Sequence, residues 1–326
     1  MHCSVVVPFH NEALNLTKLI EILCGQSAAN LKVEFIFVDD HSTDNWEELI
    51  TEIKVPADFR FLKNKGRGKK QALQTAFSQC DGEIIATLDA DCSVGPDWIV
   101  EMTAAFADPS LMLHLGPVRY SAHPSWWNRF YTLDFLALMI ATEASVLLHR
   151  PTMANAANFF FRRDVLSSMN DAQWRNDLES GDDVFLLHSV VESYGPEAIR
   201  FNAHEAAIIE TQPPNSLGTF LRQRLRWGSK GKHYKDTNAI GLSWMVFLTN
   251  ISLLLVLAVN LQLALLMWIL KILADYILLS LAVRRYGRKD ALSVFIPQVL
   301  LYPWYLSSIA VASQMFSPSW KHRRAD

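Results

Sequence analysis

Acidic side chains follow two short apolar stretches of this sequence, at the point where each stretch ends. Residues 33–38 run into a pair of aspartates whose second member is Asp40, and residues 84–88 run into Asp89 and Asp91. Short apolar, β-branched runs are typical of buried parallel strands. Ligands of open α/β sheets bind outside the carboxyl ends of such strands. The pattern therefore indicates an enzyme that handles a metal-bound nucleotide.

Asp89 and Asp91 are the predicted metal ligands. They lie two residues apart on a turn, and hard cations such as Mg²⁺ or Mn²⁺ prefer carboxylate oxygens and keep positions open for phosphate. The metal would neutralise a departing nucleoside diphosphate as a Lewis acid. The alternative is a turn in which an aspartate caps the next helix.

The first 110 residues alternate strand and helix patterns, which is the βαβ order of a Rossmann-like parallel sheet. Strands are predicted at residues 4–7, 33–38, 59–62 and 83–88, and helices at 11–24, 45–53, 69–80 and 97–106. Pro8 and Glu12 border the first strand-to-helix turn. Lys69 follows a Gly-Arg-Gly loop and begins a helix whose N-terminus suits a diphosphate. Glu12 has a structural alternative, because acidic residues favour the first turn of a helix.

The C-terminal part is apolar. Residues 242–266 contain no charged residue and exceed the roughly 20 residues that cross a bilayer. Residues 267–283 are apolar apart from Lys271 and Asp275, and 291–316 form another candidate span. Three spans would place the basic tail, at residues 317–326, outside. Two spans, with 267–283 interfacial or re-entrant, would keep inside both the tail and the basic loop of Arg284, Arg285, Arg288 and Lys289, as positive loops favour the cytoplasm. Because residues 267–283 are otherwise so apolar, a third span is slightly favoured.

Composition excludes several classes of protein. The 326 residues have a net charge of −3, which gives no reason to expect nucleic-acid binding. Four widely spaced cysteines without a CxxC pattern argue against a zinc site and a disulfide framework, and fit a reduced, cytosolic environment. No signal peptide is expected, because the first residues lead directly into a strand. The ten histidines lack metal-ligand spacing and are expected to be structural.

Residues 125–148 are predicted to form a long helix whose start is aromatic. Two interpretations are open: the aromatic cluster lies at a membrane surface, or the helix is buried in the acceptor-binding half. The cluster consists of Trp126, Trp127, Phe130 and Tyr131.

The sequence resembles the family 2 glycosyltransferases, which are inverting enzymes of the GT-A fold and include cellulose and hyaluronan synthases. The resemblance spans about residues 4–235, and its motifs follow the family's order. These motifs are residues 5–12 (VVVPFHNE), 38–44 (VDDHSTD), 88–91 (LDAD), 181–183 (GDD) and 223–227 (QRLRW). The resemblance implies an α/β, Rossmann-like GT-A domain at residues 1–238, with a nucleotide-binding half (1–110) and an acceptor half (111–238). Membrane or interfacial helices (239–316) and a basic tail (317–326) follow.

The same resemblance implies roles for the acidic residues. Asp91 is the more direct metal ligand, and Asp40 contacts the base or ribose of the nucleotide. Inverting transfer needs a carboxylate that takes the proton of the acceptor hydroxyl. The family places an acidic pair at this step with its second member as base, which is Asp183 here, while Asp182 stands where Glu is commoner. The alternative is that one of the two caps the following helix.

Gln223, Arg226 and Trp227 fall at i, i+3 and i+4, hence on one face of a helix. Arg226 is expected to bind the diphosphate, and Trp227 to present a flat surface to a sugar ring. Asn158 is either an acceptor contact or a turn residue. The cations around this motif are expected to face anionic lipid or solvent: Arg222, Arg224, Lys230, Lys232 and Lys235.

The predicted activity is metal-assisted transfer of a hexosyl or N-acetylhexosaminyl group from a nucleotide-sugar, most simply a UDP-sugar. The expected acceptor is a lipid-linked sugar or a glycan at the cytoplasmic face of a membrane, such as a bacterial inner membrane. Two or three spans are too few for a translocation channel, which favours a lipid-linked acceptor. The alternatives are a subunit of a processive polysaccharide synthase and a non-catalytic, nucleotide-sugar-binding membrane scaffold.

Overall fold

The computed structural model describes residues 1–27, 31–53, 55–169 and 181–316. The chain divides into two units. The first consists of Met1–Arg119 and Thr142–Gln212, and the second of Tyr120–Ala141 and Pro213–Asp326. This division differs from the boundary predicted at residue 238, because the helix that contains Gln223 belongs to the same unit as the apolar C-terminal helices.

Within the described residues, ten strands form two sheets. The strands are β1 (His2–Phe9), β2 (Lys32–Asp39), β3 (Phe59–Lys63), β4 (Ile84–Thr87), β5 (Cys92–Val94), β6 (Leu113–Leu115), β7 (Val118–Tyr120), β8 (Phe159–Arg162), β9 (Ile199–Phe201) and β10 (Ile209–Thr211). The larger sheet has the order β3-β2-β1-β4-β8-β6-β9, and the smaller one β5-β10-β7.

The larger sheet is mixed. Its first four strands, β3-β2-β1-β4, are parallel, which confirms the predicted βαβ order. β8 then runs antiparallel to both β4 and β6, and β9 is parallel to β6. Pro8 fits the central strand β1 because β1 pairs with β4 only from Cys3 to Val6, so that the missing N–H of proline interrupts no bond on that side.

Eleven α-helices occur in the described ranges. They are α1 (Ala13–Cys24), α2 (Trp46–Thr51), α3 (Lys69–Phe77), α4 (Trp98–Ala104), α5 (Trp126–Leu147), α6 (Asp164–Ser168), α7 (Asp182–Tyr194), α8 (Leu217–Ser229), α9 (Thr237–Val259), α10 (Leu261–Arg285) and α11 (Phe295–Met315). The first four confirm the helices predicted in the nucleotide-binding half. A hydrophobic core of the first unit joins strand residues such as Val6 and Ile36 to Leu73 of α3 and Leu187 of α7.

Four helical segments of the described residues are long and apolar enough to cross a membrane: α5, α9, α10 and Lys289–Met315, which includes α11. Most of α5 is buried, including Phe130 and Tyr131, whereas Trp126 and Trp127 at its start are exposed. This favours the interpretation of α5 as a buried helix.

The predicted limits of the first apolar span are wrong. The sequence predicts one segment at 242–266 and the next at 267–283, but the structure ends α9 at Val259 and begins α10 at Leu261. Asn260 separates the two helices, and its side chain accepts a hydrogen bond from the Leu263 N–H at 3.0 Å, which caps α10. Such a cap satisfies an N–H that would otherwise lack a partner in an apolar environment.

Helix α8 packs closely against α11 at Gly228. A methyl group on Gly228 would lie 3.0 Å from Cβ of Ser313, whereas one on Gly241 in α9 would meet nothing within 4 Å. We therefore expect Gly228→Val to lower the free energy of unfolding by about 1–3 kcal/mol, as overpacking does elsewhere. Thermal unfolding of the detergent-purified protein measures this. Gly241→Val is the matched control, and equal effects of the two substitutions would show that the α8–α11 contact is loose.

Candidate active site

Asp40 fixes the loop that precedes α3. Its carboxylate is fully buried, and Oδ1 accepts hydrogen bonds from Asn64 Nδ2 at 2.8 Å and from the Gly68 N–H at 2.9 Å. Gly68 has a φ of 89°, a left-handed conformation that glycine adopts readily. The position of Asp40 thus shapes the predicted diphosphate-binding loop, and its contact with the base or ribose stays a prediction.

The next residue, at the junction of this loop and α3, reaches the second acidic cluster. Lys69 Nζ donates to Asp89 Oδ1 at 2.5 Å, and both side chains are partly exposed. The loop thus contacts Asp40 through Gly68 and Asp89 through Lys69. The two predicted acidic clusters therefore flank one loop at the carboxyl edge of the parallel strands, where a nucleotide is expected.

Asp91 lies beside a buried thiol. Cys92 Sγ is 3.9 Å from Asp91 Oδ1. Burial, together with the charges of Asp91 and Asp89, raises the pKa of the Cys92 thiol well above its ordinary value. The carboxylates of Asp89 and Asp91 offer oxygen donors, which hard cations prefer.

The described residues contain no group of three or more His, Cys, Asp or Glu side chains arranged to hold a metal ion. Mg²⁺ is commonly bound by one or two carboxylates together with substrate phosphates. Asp89 and Asp91 fit that mode, in which the nucleotide completes the coordination of the metal.

Glu12 and Asp40 belong to turns that are bonded to each other. In the first turn, the Asn11 N–H donates to Ser42 Oγ at 2.9 Å, and Asn11 Oδ1 accepts from the Thr43 N–H at 2.7 Å. Glu12 immediately precedes α1 and accepts a hydrogen bond from Asn15 Nδ2 at 2.6 Å, but makes no capping bond to the backbone. Pro8 is buried near the end of β1. The hydrogen bonds between the two turns hold together the segments that carry Glu12 and Asp40.

Asp183 lies in the first turn of α7. The residue at the N-cap position of this helix is Gly181, whose φ is 103°. Asp183 Oδ1 accepts from the Val184 N–H at 2.8 Å, and the residue is partly exposed. The side chain of Asp182 lies outside the described part of the structure. Asp183 as the catalytic base stays a prediction that its position permits.

A lysine that sequence reasoning passed over connects α3 to this helix. Lys70 is 4% exposed, and its Nζ lies 5.7 Å from the ring centroid of Phe185. Phe185 in turn covers Gly181, where a methyl group would lie 2.6 Å from Phe185 Cε2. The start of α7 is thus packed against the helix that holds Lys69. The only sequence feature that could have drawn attention to Lys70 is its position next to Lys69 in a basic run.

Asn158 is a structural residue rather than an acceptor contact. It is fully buried; Oδ1 accepts from Trp98 Nε1 at 3.0 Å, and Nδ2 donates to the carbonyls of Pro117 and Ala207 at 2.9 and 2.8 Å. These bonds use the amide donors and one acceptor position of the side chain. Asn158 therefore holds three segments of the first unit together.

In the second unit, the prediction that Arg224 faces lipid or solvent is wrong. Arg224 is 5% exposed, and its Nη2 lies 2.7 Å from Oδ2 of Asp134 in α5. The guanidinium also lies over the rings of Trp227 and Phe220, 4.3 and 4.9 Å from their centroids. A buried guanidinium requires such partners because its desolvation is costly.

These contacts define how α8 presents its predicted donor-binding residues. Gln223 Oε1 accepts a hydrogen bond from Tyr120 Oη at 3.0 Å. One face of Trp227 is covered by Arg224, and Trp227 as a whole is partly exposed. The binding roles of Gln223, Arg226 and Trp227 remain predictions.

The parallel sheet, with an acidic Asp-X-Asp turn at its carboxyl edge and an antiparallel extension, defines an α/β domain of the GT-A class. Residues 4–169 match the model of glycosyl transferase family 2. The chain belongs to this family and is a glycosyltransferase.

Among curated relatives, glycosyltransferase AglE of Haloferax volcanii is 27% identical over 227 residues, which are 69% of this chain and 71% of that protein. The undecaprenyl-phosphate 4-deoxy-4-formamido-L-arabinose transferase of Pseudomonas syringae is 30% identical over 133 residues, 39% of this chain and 38% of the relative. The poly-beta-1,6-N-acetyl-D-glucosamine synthase of Staphylococcus aureus is 27% identical over 208 residues, which are 61% of this chain and 48% of that protein. The matches thus span less than half the length of the last two proteins.

Among solved structures, glucosyl-3-phosphoglycerate synthase from Mycobacterium tuberculosis, in complex with Mn²⁺ and UDP-glucose, is 17% identical. The similarity covers 70% of this chain and 78% of that one, with a TM-score of 0.48.

Proposed function

We propose that this protein is an inverting glycosyltransferase that moves a hexosyl or N-acetylhexosaminyl group from a UDP-sugar to a lipid-linked or glycan acceptor. The main support for this proposal is a pair of contacts at the carboxyl edge of the sheet. Gly68 binds Asp40, and the adjacent Lys69 binds Asp89. Apolar helices α9 and α10 support a location in a membrane, with the catalytic residues on the cytoplasmic side.

The candidate residues of the first unit have different roles in the proposed reaction. Asp89 and Asp91 would hold Mg²⁺ or Mn²⁺, whose charge stabilises the departing nucleoside diphosphate when the metal is bound. Lys69 adds a positive charge beside them. Asp183 takes the proton of the acceptor hydroxyl while that oxygen attacks the anomeric carbon. The bond from this carbon to the diphosphate breaks in the same displacement, so the sugar configuration is inverted.

A processive polysaccharide synthase is the second candidate function. The Gln-x-x-Arg-Trp arrangement of Gln223, Arg226 and Trp227 favours it, as does the similarity to a synthase named for a polymer. The similarity to a transferase named for undecaprenyl phosphate favours a lipid-linked acceptor. Mass spectrometry of the products distinguishes the two, because a processive enzyme gives a ladder of polymer lengths and the proposed enzyme adds one or a few sugars.

The proposed metal site is tested by nucleotide binding. We expect Asp91→Asn to weaken binding of UDP in the presence of Mn²⁺ at least about tenfold, because the substitution removes a charged oxygen ligand from a site with few protein ligands. Titration calorimetry with UDP, with and without Mn²⁺, measures the change. Asp58→Asn, an exposed surface substitution, is the control. If Asp91→Asn binds UDP with Mn²⁺ as tightly as the wild type, Asp91 is not a metal ligand.

A further inference from the structure

Arg288 lies between α10 and α11, in the basic loop from which the sequence predicts only membrane topology. The structure buries it, with 4% of the residue exposed. Nε and Nη2 donate to Asp290 Oδ1 and Oδ2 at 2.9 and 3.0 Å, and Nη1 donates to the backbone carbonyl of Tyr120. A bidentate interaction with one carboxylate fixes the orientation of a guanidinium. The bond from Nη1 of this oriented group to the Tyr120 carbonyl therefore fixes the backbone of Tyr120.

Tyr120 makes the next contact in this series. Its hydroxyl donates to Gln223 Oε1 at 3.0 Å, and its ring stacks on Phe135 with a centroid distance of 4.5 Å. Phe135 lies 6.0 Å from the ring of Trp227. The Tyr120 hydroxyl is protonated at neutral pH, and burial raises its pKa further, so it stays a hydrogen-bond donor. Tyr120 thus contacts one residue of the Gln-x-x-Arg-Trp motif directly and another through Phe135.

We propose that Arg288 is a positioning residue for glycosyl transfer, because it holds Tyr120 in the place from which Tyr120 orients Gln223. The proposal rests on the proposed function and on the predicted contact of Gln223 with the donor. It gives the loop between two membrane helices a part in the site in addition to membrane anchoring. Small displacements of a substrate-binding group are costly, since misplacement by about 1 Å can lower a rate about 100-fold.

The experiment is a double-mutant cycle on the full chain in detergent. UDP release from UDP-glucose and UDP-N-acetylglucosamine is measured for Arg288→Met, for Tyr120→Phe and for the double variant. We expect each single substitution to lower kcat/KM about tenfold and the double variant to fall no more than about twofold further, because both remove the same contact to Gln223. If Arg288 affected stability alone, the losses in kcat/KM of the two single variants would multiply in the double variant.

The neighbouring residue supplies the control. Lys289 is an exposed cation in the same loop, and we expect Lys289→Met to release UDP within about twofold of the wild type. Arg288→Met with wild-type kcat/KM, or multiplicative losses in the double variant, would overturn the proposal. If Arg288→Met does not fold, Arg288→Lys, which cannot reproduce the bidentate pair together with the third bond, replaces it with the same expectation.

Hydrogen exchange separates this proposal from the proposed function. The proposal predicts faster exchange of the α8 amides in Arg288→Met than in Lys289→Met, whether or not the wild type releases UDP. Faster exchange without UDP release from any donor would contradict the proposed function and leave the positioning of α8 by Arg288 supported. Unchanged exchange of α8 would overturn the positioning role itself.

Discussion

We expect Asp183→Asn to lower the rate of glycosyl transfer by about 10²–10⁴-fold, the usual contribution of a general base. Asparagine has nearly the same shape as aspartate but cannot accept the proton of the acceptor hydroxyl at neutral pH. Because Asp183 lies on α7, whereas Asp89 and Asp91 follow β4, binding of UDP with Mn²⁺ is expected to stay within about twofold of the wild type. Initial rates of UDP release with acceptor present, together with calorimetry, measure both quantities.

Asp164→Asn is the matched control for this substitution. Asp164 is exposed at the start of α6 in the same unit, and its replacement changes net charge equally. A transfer rate for Asp183→Asn within about threefold of this control would be too small a loss for a general base. The catalytic assignment would then be wrong, whatever the metal dependence of the enzyme.

The second large effect is expected from the buried pair in the other unit. Arg224→Met removes the partner of Asp134 while both side chains are about 6% exposed. An unpaired carboxylate in such a place costs about 3–5 kcal/mol, and the contacts of the guanidinium with Trp227 and Phe220 are lost as well. We therefore expect a large drop in the thermal unfolding midpoint of the purified protein.

The matched control for this prediction is on the same helix. Arg222 is exposed, and Arg222→Met should change the free energy of unfolding by less than about 0.5 kcal/mol. The double variant Arg224→Met with Asp134→Leu should recover part of the loss, since it leaves no buried charge unpaired. Equal stability of the Arg222 and Arg224 variants would show that the pair contributes nothing to the packing of α8.

The nucleotide-binding half could be predicted from the sequence because its signals are local. Buried parallel strands such as β2 and β4 are mostly apolar, as such strands usually are, and the position of Asp40 and Asp89 follows from where those apolar residues end. The antiparallel extension gives no comparable signal. β6 and β9 have three residues each, too few for a periodic pattern, so their place beside β8 could not be derived.

The surroundings of the buried cations could not be predicted, because they depend on contacts distant in sequence. Arg224 and Arg288 each lie in a basic segment, where a charged residue is usually solvated. Their burial depends on Asp134 and on the Tyr120 carbonyl, which are far away along the chain. The start of α10 was missed for a different reason: Asn260 is a single polar residue between two apolar helices, and its capping bond appears only in the structure.

The measurement that tests the central claim most directly is UDP release by the full chain, purified in detergent, from a panel of UDP-sugars with Mn²⁺, Mg²⁺ or EDTA. A glycosyltransferase with the proposed metal site should hydrolyse its donor slowly even without acceptor. We expect metal-dependent UDP release from one donor, which EDTA abolishes and Asp183→Asn greatly reduces. No release from any donor, together with no metal-dependent binding of UDP, would contradict it.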